Sequence, residues 1–193
     1  MAPPRKHETD AILDAARDLV LDGGPRVAAV AAIAKASGAP VGTLYHRFGN
    51  RDGILVATWL RALDRFQALA MSAGADRALD AAVAMALSTL RFAQQYPGDA
   101  RLLLTIRPED LVDAEGGGLA DALAARNAPL IERLRTLARE LFGADDARAL
   151  EALQRAVVDL PYSAVRRHVD DLPEWLADDL ADSVRALLTT HRR

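Results

Sequence analysis

The sequence IAKASGAPVGTLYHRF, from Ile33 to Phe48, decides the fold class of this chain. It reads as a short helix, a turn centred on Gly38 and a second short helix. Glycine adopts the left-handed backbone of such a turn easily, whereas a side chain would be strained there. Two short helices joined in this way form a helix-turn-helix, an arrangement typical of DNA-binding proteins.

The second helix of this pair, from about Val41 to Phe48, has the properties of a DNA-reading helix. A major groove about 12 Å wide admits one helix, which must expose one face and pack with the other. Ile33, Ala34 and Leu44 can form the packed side. The outward positions of this helix carry small residues and hydrogen-bond donors, and cations lie nearby in the sequence. The candidate DNA-binding residues are Val41, Gly42, Thr43, Tyr45, His46, Arg47, Arg51 and Lys35.

Two further helices and the full extent of the pair's first helix are predicted from hydrophobic spacing and from residues that begin or end helices. The first helix of the chain runs from about Asp10 to Leu21, with Thr9 as its N-cap, and the second from about Val27 to Ala36. After the reading helix, Asn50 is expected to cap a long helix of residues 51–72. A cation at the start of that helix, Arg51, opposes the helix dipole and makes more sense if a phosphate binds there.

The rest of the chain also has a helical pattern, without the alternation of a sheet. A glycine run at residues 116–118 indicates a loop. A break or kink is expected at Pro129, and the helix is expected to be bent or broken at Pro161. The sequence predicts an all-α fold with a three-helix DNA-binding head, residues 1–52, and a larger helical bundle, residues 53–193, for ligand binding and dimerisation. The helices expected in the bundle cover residues 77–95, 100–105 with Asp99 as cap, 119–142, 147–160 with Asp145 or Asp146 as cap, and 174–190.

Charge is distributed unevenly along the chain. The formal net charge is −3, which argues against a generic nucleic-acid binder. Residues 1–52 nevertheless carry a net charge of +1, and residues 23–51 carry only positive side chains. Five of the six acids of the head lie between Glu8 and Asp22, on the first helix. The electrostatic attraction to phosphate is therefore expected to be local and modest.

Residues 9–66 resemble the N-terminal domain of TetR-type transcriptional regulators. The core of the match is Gly42-Thr43-Leu44-Tyr45 followed by Phe48, which lies fifteen residues after the start of Ile33-Ala34. The resemblance covers about a third of the chain. Further matching positions are Ile12-Leu13, Ala15-Ala16, Leu19, Gly23 or Gly24, Gly38, Asn50-Arg51-Asp52 and Leu55.

The resemblance implies an all-α homodimer in which three N-terminal helices bind DNA and a larger C-terminal bundle binds a small molecule. We interpret the chain as a ligand-responsive repressor that binds a palindromic operator, and activation is the open alternative, since promoter position decides it. The family's groove-contacting positions fall on Val41, Gly42, Thr43, Tyr45 and His46. Its phosphate-contacting lysine falls on Arg51, which keeps the charge. The family's dimer seam corresponds to residues 147–160 and 173–188, and a small molecule of unknown identity is expected in the bundle.

Two positions depart from the family pattern. Ala28-Ala29 stand where the family has Thr or Ser at the start of the second helix. Pro40 stands where it has a hydroxyl residue before the reading helix. Each missing N-cap costs about 1 kcal/mol of helix stability. The departures keep a second hypothesis open, a helical small-molecule-binding protein or enzyme with a vestigial DNA-binding head.

Large residues on helical faces are candidates for a ligand pocket, although most residues of this kind simply form a core. A pocket between helices is mostly apolar with a few orienting polar groups, and Arg107, Tyr96 and Tyr162 are candidates for these groups. The candidate ligand-binding residues are Trp59, Leu63, Phe66, Met85, Phe92, Arg107 and Tyr162.

Catalysis and metal binding find little support in the sequence. The chain contains no cysteine, and its four histidines have no helical metal-binding spacing. No phosphate-binding loop or nucleophile motif is present. We therefore predict no enzyme activity, no metal and no cofactor. Without an apolar signal or membrane segment, we expect a cytoplasmic protein.

Overall fold

The computed structural model describes residues 5–111 and 117–191. Within these ranges the chain is helical and contains no strand, which confirms the predicted all-α fold. It divides into two compact units, one of residues 1–63 and 101–120 and the other of residues 64–100 and 121–193. The predicted functional boundary after residue 52 stays a prediction. None of the described helices has the length and apolar character needed to cross a membrane.

The first unit contains the predicted helix-turn-helix. Its helices are α1 (Arg5–Gly23), α2 (Val30–Ser37), α3 (Val41–Phe48) and the first part of α4 (Arg51–Ser72). A 3-10 turn, Pro25–Val27, precedes α2. The core of this unit is aliphatic, and its fully buried large side chains are Ile12, Ile33, Leu44, Ile54, Leu55, Leu102 and Leu111.

A glycine turn and a side-chain cap set the ends of the helices around α3. Gly38 has a φ of 70° and turns the chain between α2 and α3, as predicted. Asn50 caps α4, because its side-chain oxygen accepts a hydrogen bond of 2.7 Å from the backbone N–H of Gly53. The bounds of α3 and α4 agree with those predicted.

The second unit packs its helices around alanine-rich α5 (Ala78–Gln95), which lies against the last part of the chain. Its small side chains let neighbouring helices approach closely. Asp146 caps the helix that begins at Ala147, since its carboxylate accepts a hydrogen bond of 2.9 Å from Ala149 N–H. The other helices with residues in this unit are α6 (Pro97–Thr105), α7 (Gly117–Phe142), α8 (Ala147–Gln154), α9 (Leu160–Arg167) and α10 (Leu176–His191).

Several predicted helix ends were wrong. The first helix begins at Arg5, so Thr9 lies inside it. The second begins at Val30, because the Pro25–Val27 turn takes up the residues assigned to its first turn. Asp99 is not an N-cap, since α6 begins before it at Pro97.

The chain stays helical through both prolines, so neither proline breaks it, and the predicted kink or bend stays a prediction. Pro129 lies inside α7 on an exposed face. At Pro161 the chain continues from α8 into α9 through a π-helical turn, Arg155–Asp159. The wider turn accommodates the proline ring, which would clash with a carbonyl one α-helical turn earlier. Of the predicted glycine loop, residues 117–118 begin α7, and Gly116 lies outside the described residues.

Candidate nucleic-acid interface

Helix α3 is held against its unit by one face. Leu44 is fully buried, and on α2 the side chains of Ile33 and Ala34 are buried as well. The two helices pack against each other across the Gly38 turn. This packing holds α3 at one angle and leaves its other face available, as a DNA-reading helix requires.

The outward face of α3 carries the residues that the sequence predicted. Tyr45 is 52% exposed and Val41 is 43% exposed. Gly42 and His46 are also exposed, and Thr43 is half-buried. Small, hydroxyl and ring side chains therefore share one accessible surface of the first unit. A shallow concave part of it is lined by Gly42, Thr43, His46 and Arg47.

The N-termini of α2 and α3 lack side-chain caps among the described residues. Ala29 occupies the N-cap position of α2, and Pro40 occupies that of α3. In the first turn of α3 the N–H of Thr43 donates to the Pro40 carbonyl at 2.9 Å. The remaining orphan amides at these ends must be satisfied by water or by an anion.

The cations near α3 differ in what they contact. Arg47 turns towards α1, where its Nη2 lies 2.7 Å from the Glu8 carboxylate and its Nη1 donates to the Thr9 hydroxyl at 2.8 Å. Arg51 pairs with Asp52 at 2.9 Å and also donates to the carbonyl of Pro25. Lys35, at the end of α2, is exposed. The structure therefore ties Arg47 and Arg51 to their own unit, and their predicted roles in DNA binding stay predictions.

The candidate ligand-binding residues of the first unit are Trp59, Leu63 and Arg107. The indole N–H of Trp59 donates to the Ile106 carbonyl at 3.0 Å, so this ring has a structural hydrogen bond. Leu63 is buried, whereas Arg107 is exposed. Their role in ligand binding stays a prediction.

The candidates in the second unit are only partly brought together. The rings of Phe66 and Phe92 meet edge to face with centroids 5.5 Å apart. Met85 is buried on α5, and Tyr162 is 41% exposed on α9. The aromatic contact continues to Tyr96, whose ring centroid lies 5.8 Å from that of Phe92. These contacts describe an aromatic core, and their ligand role also stays a prediction.

Two arginine clusters on α4 were missed by sequence reasoning. In the first unit, Arg61 lies 2.7 Å from the Asp14 carboxylate and 3.1 Å from that of Asp10. In the second, Arg65 lies 2.7 Å from the fully buried carboxylate of Asp99. The same guanidinium lies 5.1 Å from the centre of the Tyr96 ring. The two arginines lie one helical turn apart within an apolar pattern, and this spacing could have predicted that both face other helices.

The described part of the chain contains no group of three or more histidine, aspartate or glutamate side chains placed to hold a metal ion. Acidic side chains of the first unit instead face arginines. The arrangement around α3 thus offers hydrogen-bond donors, a ring and the exposed cation of Lys35 to a binding partner.

The segment that contains α2 and α3 is similar to a known family of proteins. Residues 12–58 match the family model described as "Bacterial regulatory proteins, tetR family". The match includes α2, α3 and the start of α4. No match was found among curated proteins.

Solved structures of several regulators share the fold. A TetR-family transcriptional regulator from Streptomyces coelicolor is 18% identical, with a TM-score of 0.70 and 97% of each chain covered. A protein from Shewanella sp. PV-4 described as a tetR-family transcription regulator is 20% identical, with a TM-score of 0.72, and the alignment covers 95% of this chain and 97% of that one. The fatty acid degradation regulator FadR from Bacillus halodurans is 19% identical, with a TM-score of 0.67, and 95% and 99% of the two chains are covered. The helix-turn-helix of this chain therefore matches the TetR family model, and its fold is similar to that of these regulators.

Proposed function

We propose that the protein is a dimeric transcriptional repressor that binds a palindromic operator and is released from it by a small molecule. The observation that carries this proposal is the two-sided character of α3. Leu44 anchors one side in the core, whereas Val41, Tyr45 and His46 lie on the accessible side. Hydroxyl and ring N–H groups of this kind donate to phosphates and to base edges in the major groove.

Dimerisation is supported by apolar side chains that the second unit leaves exposed. A two-fold dimer places two reading helices in successive major grooves, about 34–36 Å apart, and therefore selects a palindrome. Exposed apolar surface near the end of the chain would be buried in such a dimer. The large exposed residues of this region are Val158, Tyr162, Trp175 and Leu187.

Release by a ligand is proposed to act through α4. This helix begins at Arg51, directly after the α3 turn, and continues to Ser72. A ligand that binds more tightly to one arrangement of α4 would change the separation of the two reading helices. Such a ligand must have different affinities for the two arrangements of α4, because equal affinities would leave the equilibrium between them unchanged. A repressor of this kind acts on chromosomal DNA, so the proposal includes a cytoplasmic location.

The second candidate function is a helical small-molecule-binding protein or enzyme whose DNA-binding head is vestigial. It is favoured by the uncapped starts of α2 and α3, at Ala29 and Pro40. If the hydroxyl groups missing there are needed for phosphate contacts, operator binding would be lost. Turnover of a bound compound without DNA affinity at low salt would support this candidate.

The test is a titration of the protein with the DNA flanking its own gene, at several salt concentrations. The repressor proposal expects saturable, sequence-specific binding that weakens steeply as salt rises. Weak binding that ignores sequence would contradict it and support the second candidate.

The Tyr45→Ala variant tests the role of α3 in the same titration. Removing this exposed ring is expected to weaken operator binding about tenfold while leaving the unfolding temperature unchanged. Met71→Ala, which shortens another side chain with comparable exposure, is the matched control. Wild-type affinity in Tyr45→Ala would contradict the assignment of α3 as the reading helix.

A further inference from the structure

Arg47 is both part of the reading helix and attached to α1. It lies in the last turn of α3 and helps to line the concave surface with Gly42, Thr43 and His46. Two of its nitrogens contact α1, one at Glu8 and one at Thr9. A cation that could meet a DNA phosphate is therefore already partnered by a carboxylate of its own unit.

Glu8 differs from the acids that follow it on α1. Asp10 and Asp14 contact Arg61 of α4, and Asp14 and Asp18 contact Arg17 of α1 itself. Glu8 instead forms its ion pair with α3. Glu8 thus directly neutralises a charge on the reading helix.

The contact between Glu8 and Arg47 is exposed enough to be exchanged. The side chain of Arg47 is 22% exposed and that of Glu8 is 41% exposed. Ion pairs with this degree of exposure change an equilibrium constant by only about two- to fivefold. Duplex DNA, in contrast, presents one negative charge about every 1.7 Å along its axis. A phosphate array can therefore compete with a single carboxylate for the guanidinium.

We propose that Glu8 is an autoinhibitory competitor for Arg47, so that the reading helix gains this phosphate contact only by displacing its own carboxylate. The inference rests on the proposed DNA binding of α3. Its consequence is that Glu8 lowers the affinity of the head for DNA in two ways. The ion pair must be broken, and the released carboxylate then faces the phosphates. Glu8 would therefore limit non-specific binding, which depends on phosphate contacts alone.

The experiment measures binding of the full-length protein to a random-sequence duplex over a range of salt concentrations. The proteins are the wild type, Glu8→Gln, Arg47→Gln and the double variant. Asp22→Asn is the matched control, because it removes one negative charge from the same helix about 21 Å from Glu8. Asp22 is exposed, so its removal does not disturb a core. Thermal unfolding of each variant establishes that it is folded.

The proposal expects Glu8→Gln to tighten binding about two- to fivefold for each head. Asp22→Asn should change binding by less than that. Arg47→Gln should reduce the slope of log affinity against log salt by about 0.9 for each head, because one phosphate contact is lost. The gain from Glu8→Gln should be smaller in the Arg47→Gln background, where no ion pair remains to be broken.

Three results would overturn the proposal. Glu8→Gln could weaken binding, which would mean that the ion pair supports DNA binding by holding α3 in its orientation. It could match Asp22→Asn, which would mean that Glu8 acts only through net charge. Arg47→Gln could leave the salt slope unchanged, which would mean that the pair persists on DNA. Because the duplex carries no operator, these results are distinguishable from failure of the proposed function, which fails separately if the DNA flanking the gene is not bound specifically.

Discussion

Gly53, at the start of α4, lies so close to Phe48, the last residue of α3, that a Cβ on it would be 2.0 Å from the Phe48 carbonyl oxygen. The turn between them is also fixed by hydrogen bonds. Asn50 N–H donates to the same carbonyl at 2.9 Å, and the Asn50 side chain accepts from Gly53 N–H at 2.7 Å. Helices α3 and α4 are therefore joined through a turn that has little room to move.

The first prediction concerns this close approach. Gly53→Ala forces the start of α4 away from Phe48, and we expect the free energy of unfolding to fall by about 1–3 kcal/mol. DNA affinity should fall as well, since the angle of α3 changes. Urea denaturation measures the first effect and operator titration the second. Gly74→Ala, where no described atom lies within 4 Å of the added carbon, is the control and should change neither quantity.

A second glycine is expected to respond in the opposite way. Gly42 is in the first turn of α3, and no described atom lies within 4 Å of an added Cβ. Gly42→Ala should therefore raise the free energy of unfolding, by up to about 1 kcal/mol, because alanine favours a helix. It should nevertheless weaken operator binding, since the methyl group lies on the reading face. A more stable protein with unchanged operator affinity would remove Gly42 from the proposed interface.

The third prediction concerns the Arg61 cluster, which ties α1 to α4. The Arg61 side chain is 12% exposed and donates to the Asp10 carbonyl as well as to two carboxylates. Arg61→Met should lower the free energy of unfolding by about 1–2 kcal/mol, because the partly exposed acids can still be hydrated. Arg155→Met, which breaks an exposed pair with Glu151, should cost less than about 0.5 kcal/mol. Equal losses in chemical denaturation would contradict a structural role for Arg61.

The fourth prediction concerns the buried pair of Arg65 and Asp99. Asp99 is fully buried, so its removal leaves a cation facing an apolar site. Asp99→Ala should lower the free energy of unfolding by about 2–4 kcal/mol, since Arg65 is partly accessible to water. Asp64→Ala removes a carboxylate from an exposed pair with Arg126 and is the matched control. If both variants unfold at the same urea concentration, the buried pair contributes nothing beyond a surface contact.

Residues that begin and end helices explain which helix bounds could be predicted from the sequence. The bounds of α3 follow from Pro40 before it and Gly49 after it, and the start of α4 follows from Asn50. These residues act on their immediate neighbours, so a sequence pattern captures them. The outward face of α3 could also be predicted locally. In a helix of eight residues, turning Leu44 towards the core fixes which residues lie on the opposite face.

Contacts between distant residues explain what was missed. Thr9 has the character of an N-cap, but α1 begins before it and its hydroxyl accepts a hydrogen bond from Arg47, 38 residues away. Asp99 also has the character of a cap, yet its carboxylate is buried against Arg65, 34 residues away. Such pairings depend on how helices pack, which helical periodicity alone does not determine.

The π-helical turn at Arg155–Asp159 has a consequence for the relation between sequence and surface. A turn of this kind is equivalent to one residue inserted into an α-helix, which rotates everything after it by about 100°. The faces of α8 and α9 therefore do not follow a single heptad count. A protein that has an unbroken α-helix here would need a one-residue gap in an alignment to bring Tyr162 and its neighbours into register. Deleting one residue of the turn would rotate α9 about its own axis and change which of its side chains face outward.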